Sequence, residues 1–272
     1  MSLPAFKLTE RQALARDLLA SDARHCLLYG GSRSGKTFLL LRAIIIRAAA
    51  HKSRHAVLRF RFNHVKTSIV HDTLPKVIEL CFPPLIKAGK LDKTDWFYTL
   101  PNGSEIWFGG LDDKERTEKI LGAEYSTMFF NECSQIPWAS RNIAITRLAQ
   151  NTPMRLKAYY DCNPPSDQHW TARAFVQKVD PDSRQSMRDK ASFGAMLMNP
   201  ADNRANLSPD YFKELEALPE RMRRRFLLGQ FGSASDNALW TLDLLDRSRM
   251  LEGAMPDLQR IVIAVDPSGC AG

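Results

Sequence analysis

Residues 27–37 read LLYGGSRSGKT, and this stretch decides how the rest of the chain is interpreted. Three apolar residues that suit a buried strand lead into a loop bracketed by Gly30 and Gly35, with Lys36 and Thr37 directly behind it. The helical pattern FLLLRAIII follows at once. A strand, a loop with the spacing G-x-x-x-x-G-K-[ST] and a helix are together typical of a site that binds the phosphates of a nucleotide.

The residue types in this loop have a physical reason. Glycines allow backbone N–H groups to turn towards the phosphates, and the N-terminus of the following helix adds the positive end of its dipole. We expect Lys36 to reach the β and γ phosphates and Thr37 to offer its hydroxyl group to Mg²⁺. The alternative, a glycine-rich surface turn, is disfavoured because the loop stands between a strand and a helix.

The composition is that of a basic globular protein. Lysine and arginine number 38 against 30 acidic residues, so the net charge is +8, which favours a polyanionic partner but fits a merely basic enzyme equally well. The five cysteines form no C-x-x-C pair, which argues against a zinc site or a disulfide framework and fits a reducing cytoplasm. No apolar run approaches the roughly 18 residues of a membrane span, and the N-terminus lacks the apolar core of a signal peptide. We therefore expect a soluble cytoplasmic protein.

Further strands are predicted after the loop, and one of them ends in two polar residues. Alternating strand-forming residues predict a second strand at 56–62, and two short strands flank the turn signal PNGS at 101–104. An apolar strand at 126–132 ends in Asn131 and Glu132. Because ligands bind at the carboxyl ends of parallel strands, we expect both side chains to lie beside the phosphate loop.

Glu132 and Asn131 suit a site that hydrolyses a nucleotide. A glutamate at this place can orient and deprotonate the water that attacks the γ-phosphate, and the preceding residue can support the Mg²⁺ ligands. Asparagine at 131 departs from the aspartate normally found there. It can still bond a metal-bound water but brings no charge, so either the affinity for the metal is lower or another carboxylate contributes.

Three other features allow two interpretations each. Asn163 follows a strand predicted at 155–160, and it either senses the γ-phosphate or belongs to an ordinary Asn-Pro turn. Gln12 lies on a short amphipathic helix and either presents its amide to an adenine edge or is a plain surface residue. The arginines of segment 221–225 form a basic cluster that is either a solvated helical face or a phosphate-contacting one.

The order of the motifs along the chain resembles a known family. These motifs are the phosphate loop, the strand with Arg59, Gly109-Gly110-Leu111-Asp112-Asp113, Phe130-Asn131-Glu132, Cys162-Asn163-Pro164-Pro165, His169-Trp170 and Gly229-Gln230-Phe231. Together they span nearly all of the chain and look like the large terminase subunit of tailed bacteriophages. The resemblance implies an α/β fold, namely a RecA-like (ASCE) P-loop ATPase with a mainly parallel central sheet flanked by helices.

The resemblance also implies how the chain divides. Residues 1–230 would form the P-loop ATPase (motor) domain, including a small C-terminal subdomain from about residue 166, and residues 231–259 would be a linker. Residues 260–272 would be the first strand of a truncated RNase H-like nuclease domain, with Asp266 similar to its first metal-binding carboxylate. One aspartate cannot build a two-metal site, so no nuclease activity is expected of this chain.

The implied cofactors are ATP and Mg²⁺, and the family's site residues are carried over to the matching positions. Thr37, Asn131 and Glu132 would hold the metal, Glu132 would also be the catalytic carboxylate, and Asn163 would couple hydrolysis to movement. Arg33 resembles the charge-stabilising arginine of the loop, but it stands one place nearer the loop lysine than in many members, which leaves Arg59 and Arg147 as alternatives. The nucleotide would be contacted by Gln12 at the adenine and by Gly30, Gly31, Ser32, Arg33, Ser34, Gly35, Lys36 and Thr37 at the phosphates.

The resemblance implies an ATP-hydrolysing DNA-packaging motor subunit that moves double-stranded viral DNA into a procapsid in the host cytoplasm. Its implied partners are double-stranded DNA, a portal protein, a small terminase subunit and further copies of the chain in a ring. No association with a membrane is implied. Two other functions stay open from the residues alone. One is another P-loop nucleic-acid ATPase such as a helicase, and the other is a nucleotide-gated assembly module with little hydrolysis of its own.

Overall fold

The computed structural model describes residues 6–112 and 120–233. These residues belong to one compact unit, Met1–Ala234. Nearly all of the segment interpreted as a linker, the whole of the segment interpreted as a nuclease strand, and Asp266 within it lie outside the described residues. Their assignments therefore stay predictions.

An eight-stranded sheet forms the centre of the unit, in the order β3-β4-β5-β2-β6-β7-β1-β8. The six neighbouring strands β5-β2-β6-β7-β1-β8 pair in parallel. Strand β4 is antiparallel to both of its neighbours, β3 and β5. The mainly parallel α/β sheet and the predicted hairpin, β4–β5, are thereby confirmed. The strands are β1 His25–Tyr29, β2 Arg54–Arg59, β3 Lys90–Asp92, β4 Phe97–Thr99, β5 Glu105–Gly110, β6 Thr127–Phe130, β7 Lys157–Cys162 and β8 Phe193–Leu197.

Helices connect the strands and cover the sheet. Helix α1, Glu10–Ala20, begins at a capping box formed by Thr9 and Gln12, and helix α2, Lys36–Ala50, follows the phosphate loop. No helix in the described part of the chain combines the length and apolarity that crossing a lipid bilayer demands. The other helical segments, some of a single turn and some of 3₁₀ or π type, are Phe62–Val65, Lys66–Thr73, Leu74–Cys81, Leu85–Ala88, Cys133–Gln135, Trp138–Ile145, Trp170–Ala172, Arg173–Gln177, Pro200–Asn206, Pro209–Glu216 and Glu220–Phe226.

Both faces of the sheet are buried, as expected of parallel strands with helices on each side. Because successive side chains of a strand point to opposite faces, neighbours along a strand pack in different apolar cores. Leu28 of β1 and Phe129 of β6 belong to one core, and Leu27 and Phe130 belong to the other. Helix α2 packs its apolar residues into the core that contains Leu28. The phosphate loop is thus held between a strand and a helix that are both fixed by packing.

The strands differ from the sequence-based prediction at their ends. β2 ends at Arg59, and Phe62, which is predicted to close the strand, already begins the next helix. β7 continues past Tyr160 through Asp161 to Cys162. Asp161 therefore belongs to a strand that lies between β6 and β1, and not to the loop that follows it.

β8 lies in the segment that the resemblance assigns to a small C-terminal subdomain. It pairs in parallel with β1 at the edge of the sheet, with Phe193 opposite His25 and Leu197 opposite Tyr29. The segment after residue 166 therefore contributes a strand to the main sheet before it forms the last described helices. Its division into a subdomain stays a prediction.

Candidate functional site

The carboxyl ends of β1, β6 and β7 meet at one edge of the sheet, where the phosphate loop bounds a cavity of about 500 Å³. Loop residues 32–38 form one wall, and Glu132 and Asn163 line the cavity from the strand ends. Asn203 and Tyr211 line it from the segment after β8. A cavity of this volume, bounded by backbone and by polar side chains, is large enough for a nucleotide.

Two glycines of the loop are required by the backbone itself. Gly30 has a φ of 141°, and a Cβ added there would lie 2.0 Å from the carbonyl oxygen of Met198. Gly35 has a φ of 85° and caps the N-terminus of α2. Because residues with a side chain rarely adopt such φ values, glycine at these places serves the fold of the loop as well as access to a ligand.

Lys36 is 7% exposed, and its ammonium group folds back onto the loop. Nζ donates hydrogen bonds to the carbonyl oxygen of Gly31 at 2.6 Å and to Oγ of Ser34 at 3.0 Å. Burial lowers the pKa of Lys36, and the carboxylates of Asp161 and Glu132 oppose that shift. The loop therefore holds a cation at the cavity wall through contacts that a phosphate group can replace.

The segment after β8 fastens the loop from its other side. Oδ1 of Asn199 accepts a hydrogen bond from the N–H of Gly31 at 3.0 Å, and Nδ2 of the same side chain donates to the carbonyl of Leu228 at 3.0 Å. The N–H of Ser32 donates to the carbonyl of Phe226 at 2.9 Å. The phosphate loop is therefore joined directly to the end of the arginine-rich helix Glu220–Phe226.

Asp161 is buried beside the phosphate loop and accepts hydrogen bonds from three groups. Its carboxylate accepts hydrogen bonds from the hydroxyl of Thr37 at 2.5 Å, from Nδ2 of Asn131 at 2.9 Å and from the backbone N–H of Glu132 at 2.7 Å. Burial raises the pKa of Asp161, while the hydrogen bonds from Thr37, Glu132 and Asn131 act in the opposite direction. One side chain thus links the phosphate loop to both polar residues that follow β6.

Glu132 lines the cavity in a left-handed backbone conformation, with φ 48° and ψ 49°. Burial and the adjacent Asp161 raise the pKa of Glu132, whereas the charges of Arg59 and Lys36 lower it. A carboxylate that is partly desolvated in this way is a stronger base once it is ionised. Its position suits the activation of a water molecule in the cavity.

Asn163 comes directly after β7 and contacts two residues of the loop. Its Oδ1 accepts a hydrogen bond from Nζ of Lys36 at 3.5 Å, and its Nδ2 donates to Oγ of Ser32 at 3.3 Å. A ligand that draws Lys36 away from the loop must therefore change the contacts of Asn163.

Arg33 and Gln12 approach the loop in different ways. Arg33 lines the cavity with a φ of 58°, and its carbonyl accepts a hydrogen bond from Nδ2 of Asn203 at 2.9 Å. Gln12 is 5% exposed, so it is not the plain surface residue of the alternative interpretation. Its Oε1 accepts a hydrogen bond from the N–H of Thr9 at 3.1 Å, and a Cβ added at Gly35 would lie 2.8 Å from its Nε2.

The two alternative arginines lie at opposite ends of the sheet. Arg59 ends β2, lowers the pKa of Glu132 and donates a hydrogen bond to Oγ of Ser68 at 3.0 Å. Arg147 is exposed, and its carbonyl accepts a hydrogen bond from the N–H of Tyr125, which stands just ahead of β6. Of these two arginines, Arg59 is the one at the carboxyl edge where the cavity opens.

The oxygen atoms around Thr37 fit Mg²⁺. The hydroxyl of Thr37 and the carboxylate of Asp161 are oxygen ligands of the type that this ion prefers. Oδ1 of Asn131 is a buried hydrogen-bond acceptor that has no partner among the described residues. In the described part of the chain, no group of three His, Cys, Asp or Glu side chains could hold a metal. Mg²⁺ does not require one, because it is usually bound by one or two carboxylates together with substrate phosphates and waters.

Sequence reasoning does not select Asp161, although a signal for it exists. A charged residue inside an apolar strand, next to the end where ligands bind, is unusual and indicates a function. The predicted strand stops at Tyr160, which assigns Asp161 to the loop. For Asn199 and Tyr211 the sequence carries no pattern that would select them, because they reach the site through the pairing of β8 with β1.

Comparison with known families gives a match over most of the chain. The family model described as phage terminase large subunit matches residues 22–232, a range that contains the phosphate loop, both polar strand ends and β8. No curated protein is significantly similar to the chain.

Several solved structures share the fold. The large terminase of a thermophilic bacteriophage, in complex with ADP, has a TM-score of 0.63 and 16% identity over 82% of this chain and 54% of its own. The HK97 bacteriophage large terminase has a TM-score of 0.60 and 14% identity over 83% of this chain and 51% of its own. The ATPase domain of the Thermus phage P74-26 large terminase has a TM-score of 0.56 and 15% identity over 84% of this chain and 95% of its own. The chain thus spans about half the length of the first two of these terminases.

At such low identity the solved structures show the fold alone, which is the RecA-like α/β fold of terminase ATPase domains. The family match is independent of them and extends over well more than half of the 272 residues. On this match, the chain belongs to the phage terminase large subunit family.

Proposed function

We propose that the chain is the ATP-hydrolysing motor part of a machine that moves double-stranded viral DNA into a procapsid. The observation that carries the proposal is the convergence of Lys36, Thr37 and Glu132 on one cavity, in a chain of the terminase family. The relative from the thermophilic bacteriophage is solved with bound ADP, which supports a nucleotide as the ligand of this cavity.

Lys36, Glu132 and Arg33 perform the chemistry in this proposal. Lys36 exchanges its contacts with the loop carbonyls for the β and γ phosphates of ATP, and Glu132 orients a water molecule and takes its proton as the water attacks the γ-phosphate. Thr37, Asn131 and Glu132 would hold Mg²⁺ or its waters, and the ion would neutralise charge on the phosphates. Arg33 stabilises the developing charge from the cavity wall, with Arg59 as the alternative that stands beside Glu132.

Adenine recognition is assigned to Gln12, whose Nε2 meets the loop at Gly35. Its Oε1 is engaged in the capping box, so the amide would donate rather than accept a hydrogen bond.

Two contacts connect the chemistry to movement in this proposal. Asn163 bonds Lys36, so the arrival or loss of a phosphate changes its contacts directly. The loop is also bonded to Phe226 at the end of the arginine-rich helix. The net charge of +8 and the arginines of that helix would serve a surface that grips the phosphates of DNA.

The remaining assignments follow the family. Residues 1–230 would be the motor domain, which agrees with the coverage of 95% of the P74-26 ATPase domain. Its partners would be a portal protein, a small terminase subunit and neighbouring copies in a ring, in the host cytoplasm.

Two substitutions test the proposal. Lys36→Ala should abolish binding of a fluorescent ATP analogue, because the cation that meets the phosphates is lost. Glu132→Gln should retain that binding but lower phosphate release by about 10²- to 10⁴-fold, because the general base is removed. The matched control is Lys87→Ala, which removes an exposed lysine far from the cavity lining and should change neither measurement. Hydrolysis that survives Lys36→Ala at the wild-type rate would contradict the proposed ATPase.

A further inference from the structure

We propose that Asp161 supplies the carboxylate of the magnesium site, so that the charge missing at Asn131 on β6 is provided from the neighbouring strand β7. The inference deepens the proposed ATPase function and rests on it, because it assigns the metal's acidic ligand, direct or through water, within that site.

The sheet makes such an exchange of positions possible. β7 lies between β6 and β1, and the parallel register places Phe130 of β6 opposite Tyr160 of β7. The next residue along each strand is Asn131 and Asp161, respectively, so the two side chains are neighbours across the sheet. They are in contact, with Nδ2 of Asn131 at 2.9 Å from Oδ1 of Asp161.

Asp161 makes the contact that marks a magnesium carboxylate in phosphate-loop enzymes. In these enzymes the hydroxyl of the loop Ser or Thr and a strand-end aspartate hold the ion together. Here the hydroxyl of Thr37 donates to Oδ2 of Asp161 at 2.5 Å. Asn131 has no carboxylate to accept this bond, and Asp161, one strand nearer to the loop, accepts it instead.

The amide of Asn131 is oriented for a second role in the same site. Both oxygens of the ionised Asp161 carboxylate can only accept, so the NH₂ group of Asn131 must face them, and this fixes the amide orientation. Oδ1 then points away from the carboxylate and is buried without a hydrogen-bond partner among the described residues. A buried acceptor without a donor is unfavourable. A water molecule bound to Mg²⁺ would supply the missing donor.

Asp161 also has a structural contact that the experiment must separate from metal binding. Its Oδ1 accepts the backbone N–H of Glu132 at 2.7 Å and so supports the left-handed conformation of that residue. Asparagine at 161 keeps an oxygen that can accept this bond but removes the charge. Asp161→Asn therefore tests the charge with little change in shape.

The experiment compares the full chain with Asn131→Asp, Asp161→Asn and the double exchange of both. Affinity for a slowly hydrolysed fluorescent ATP analogue is measured with Mg²⁺ and again with excess chelator, and the ratio of the two affinities is the readout. It requires no hydrolysis. The control is Asp17→Asn, which removes an exposed carboxylate on α1 that bonds Arg16. Thermal unfolding of each variant shows whether it is folded.

Asp161→Asn should reduce the gain in affinity from Mg²⁺ by about 10- to 100-fold, the range for loss of a group that supports a metal. Its affinity in chelator should stay at or above that of the wild type, because a negative charge near the phosphates has been removed. The double exchange should recover most of the gain, since it restores one carboxylate and one amide at the same pair of positions. Asp17→Asn should match the wild type.

Two results would overturn the inference. One is an undiminished Mg²⁺ gain in folded Asp161→Asn, which includes an equal loss of affinity with and without Mg²⁺, and the other is a folded double exchange that recovers nothing. A wild-type chain that binds the analogue under neither condition would instead overturn the proposed function, and the inference with it.

Discussion

At the scale of single residues, Glu132 combines two unfavourable conditions. Its φ of 48° lies in the left-handed region, which costs a residue with a side chain about 1–3 kcal/mol, and its carboxylate stands next to that of Asp161. The N–H of Glu132 donates to Asp161, so the same neighbour supports the backbone and raises the pKa of the side chain. Residues held in such conformations are found at active sites, where the surrounding structure maintains them.

The raised pKa of Glu132 predicts a pH-dependent stability. When the pKa of an acid is higher in the folded state, the folded state binds the proton more tightly, so stability is lost as the pH rises through that pKa. Glu132→Gln removes this loss. In the absence of nucleotide and metal, we expect its melting temperature to exceed that of the wild type at pH 8 and the difference to shrink towards pH 4.

Glu124→Gln serves as the comparison for this prediction, because Glu124 is exposed and precedes the same strand. Its melting temperature should follow that of the wild type across the whole pH range. A Glu132→Gln variant that is less stable than the wild type at pH 8 would show that the carboxylate stabilises the empty site instead.

At the scale of elements, β8 and the residues after it position the phosphate loop. Asn199 is the link, since it accepts from Gly31 and donates to the carbonyl of Leu228. We expect Asn199→Ala to lower the free energy of unfolding by about 1–3 kcal/mol, because the loop N–H and the Leu228 carbonyl lose their partner. The affinity for ATP should fall as well, since the loop is less well fixed. Urea unfolding and fluorescence titration measure the two effects.

Asn63→Ala is a suitable control for this substitution, because Asn63 is an exposed asparagine on another helix. If Asn199→Ala were as stable as Asn63→Ala and bound ATP equally well, the loop would not depend on the segment after β8.

The sequence predicted those elements whose signal is local. The phosphate loop, its flanking strand and helix, and the hairpin around residues 101–104 depend on spacing, alternation and turn residues, and each is present. The predicted end of β7 was wrong because Asp161 is polar, and polarity normally ends a buried strand. Its burial is explained by hydrogen bonds from Thr37, Asn131 and the N–H of Glu132, all of which are distant in sequence. The same holds for Asn199, whose role depends on strand pairing that no local pattern specifies.

At the scale of the whole molecule, the described residues form a unit with its own two-sided core. That unit ends at Ala234, and it contains the cavity together with the contacts from Asn199 and Phe226 to the loop. We therefore expect a chain ended after Ser233 to fold cooperatively and to bind ATP with the affinity of the full chain. Calorimetry and nucleotide titration test this expectation.

A shorter chain, ended after Ser192, provides the contrast. It lacks β8, which leaves β1 as the edge strand, paired with β7 alone, and it lacks Asn199 and Phe226, which hold the loop. It should be unstable or unable to bind ATP. Equal behaviour of the two shortened chains would show that the segment after β8 is dispensable for the motor unit.

The contact between positions 131 and 161 also bears on how such sites evolve. The two positions are 30 residues apart in the chain, yet their side chains share a hydrogen bond. A lineage could lose an acid at one position and gain it at the other through two changes at touching sites, while the geometry around the loop is preserved. Relatives with an acid on either strand would then be equivalent in three dimensions, and a motif written as consecutive letters would recognise only one of them.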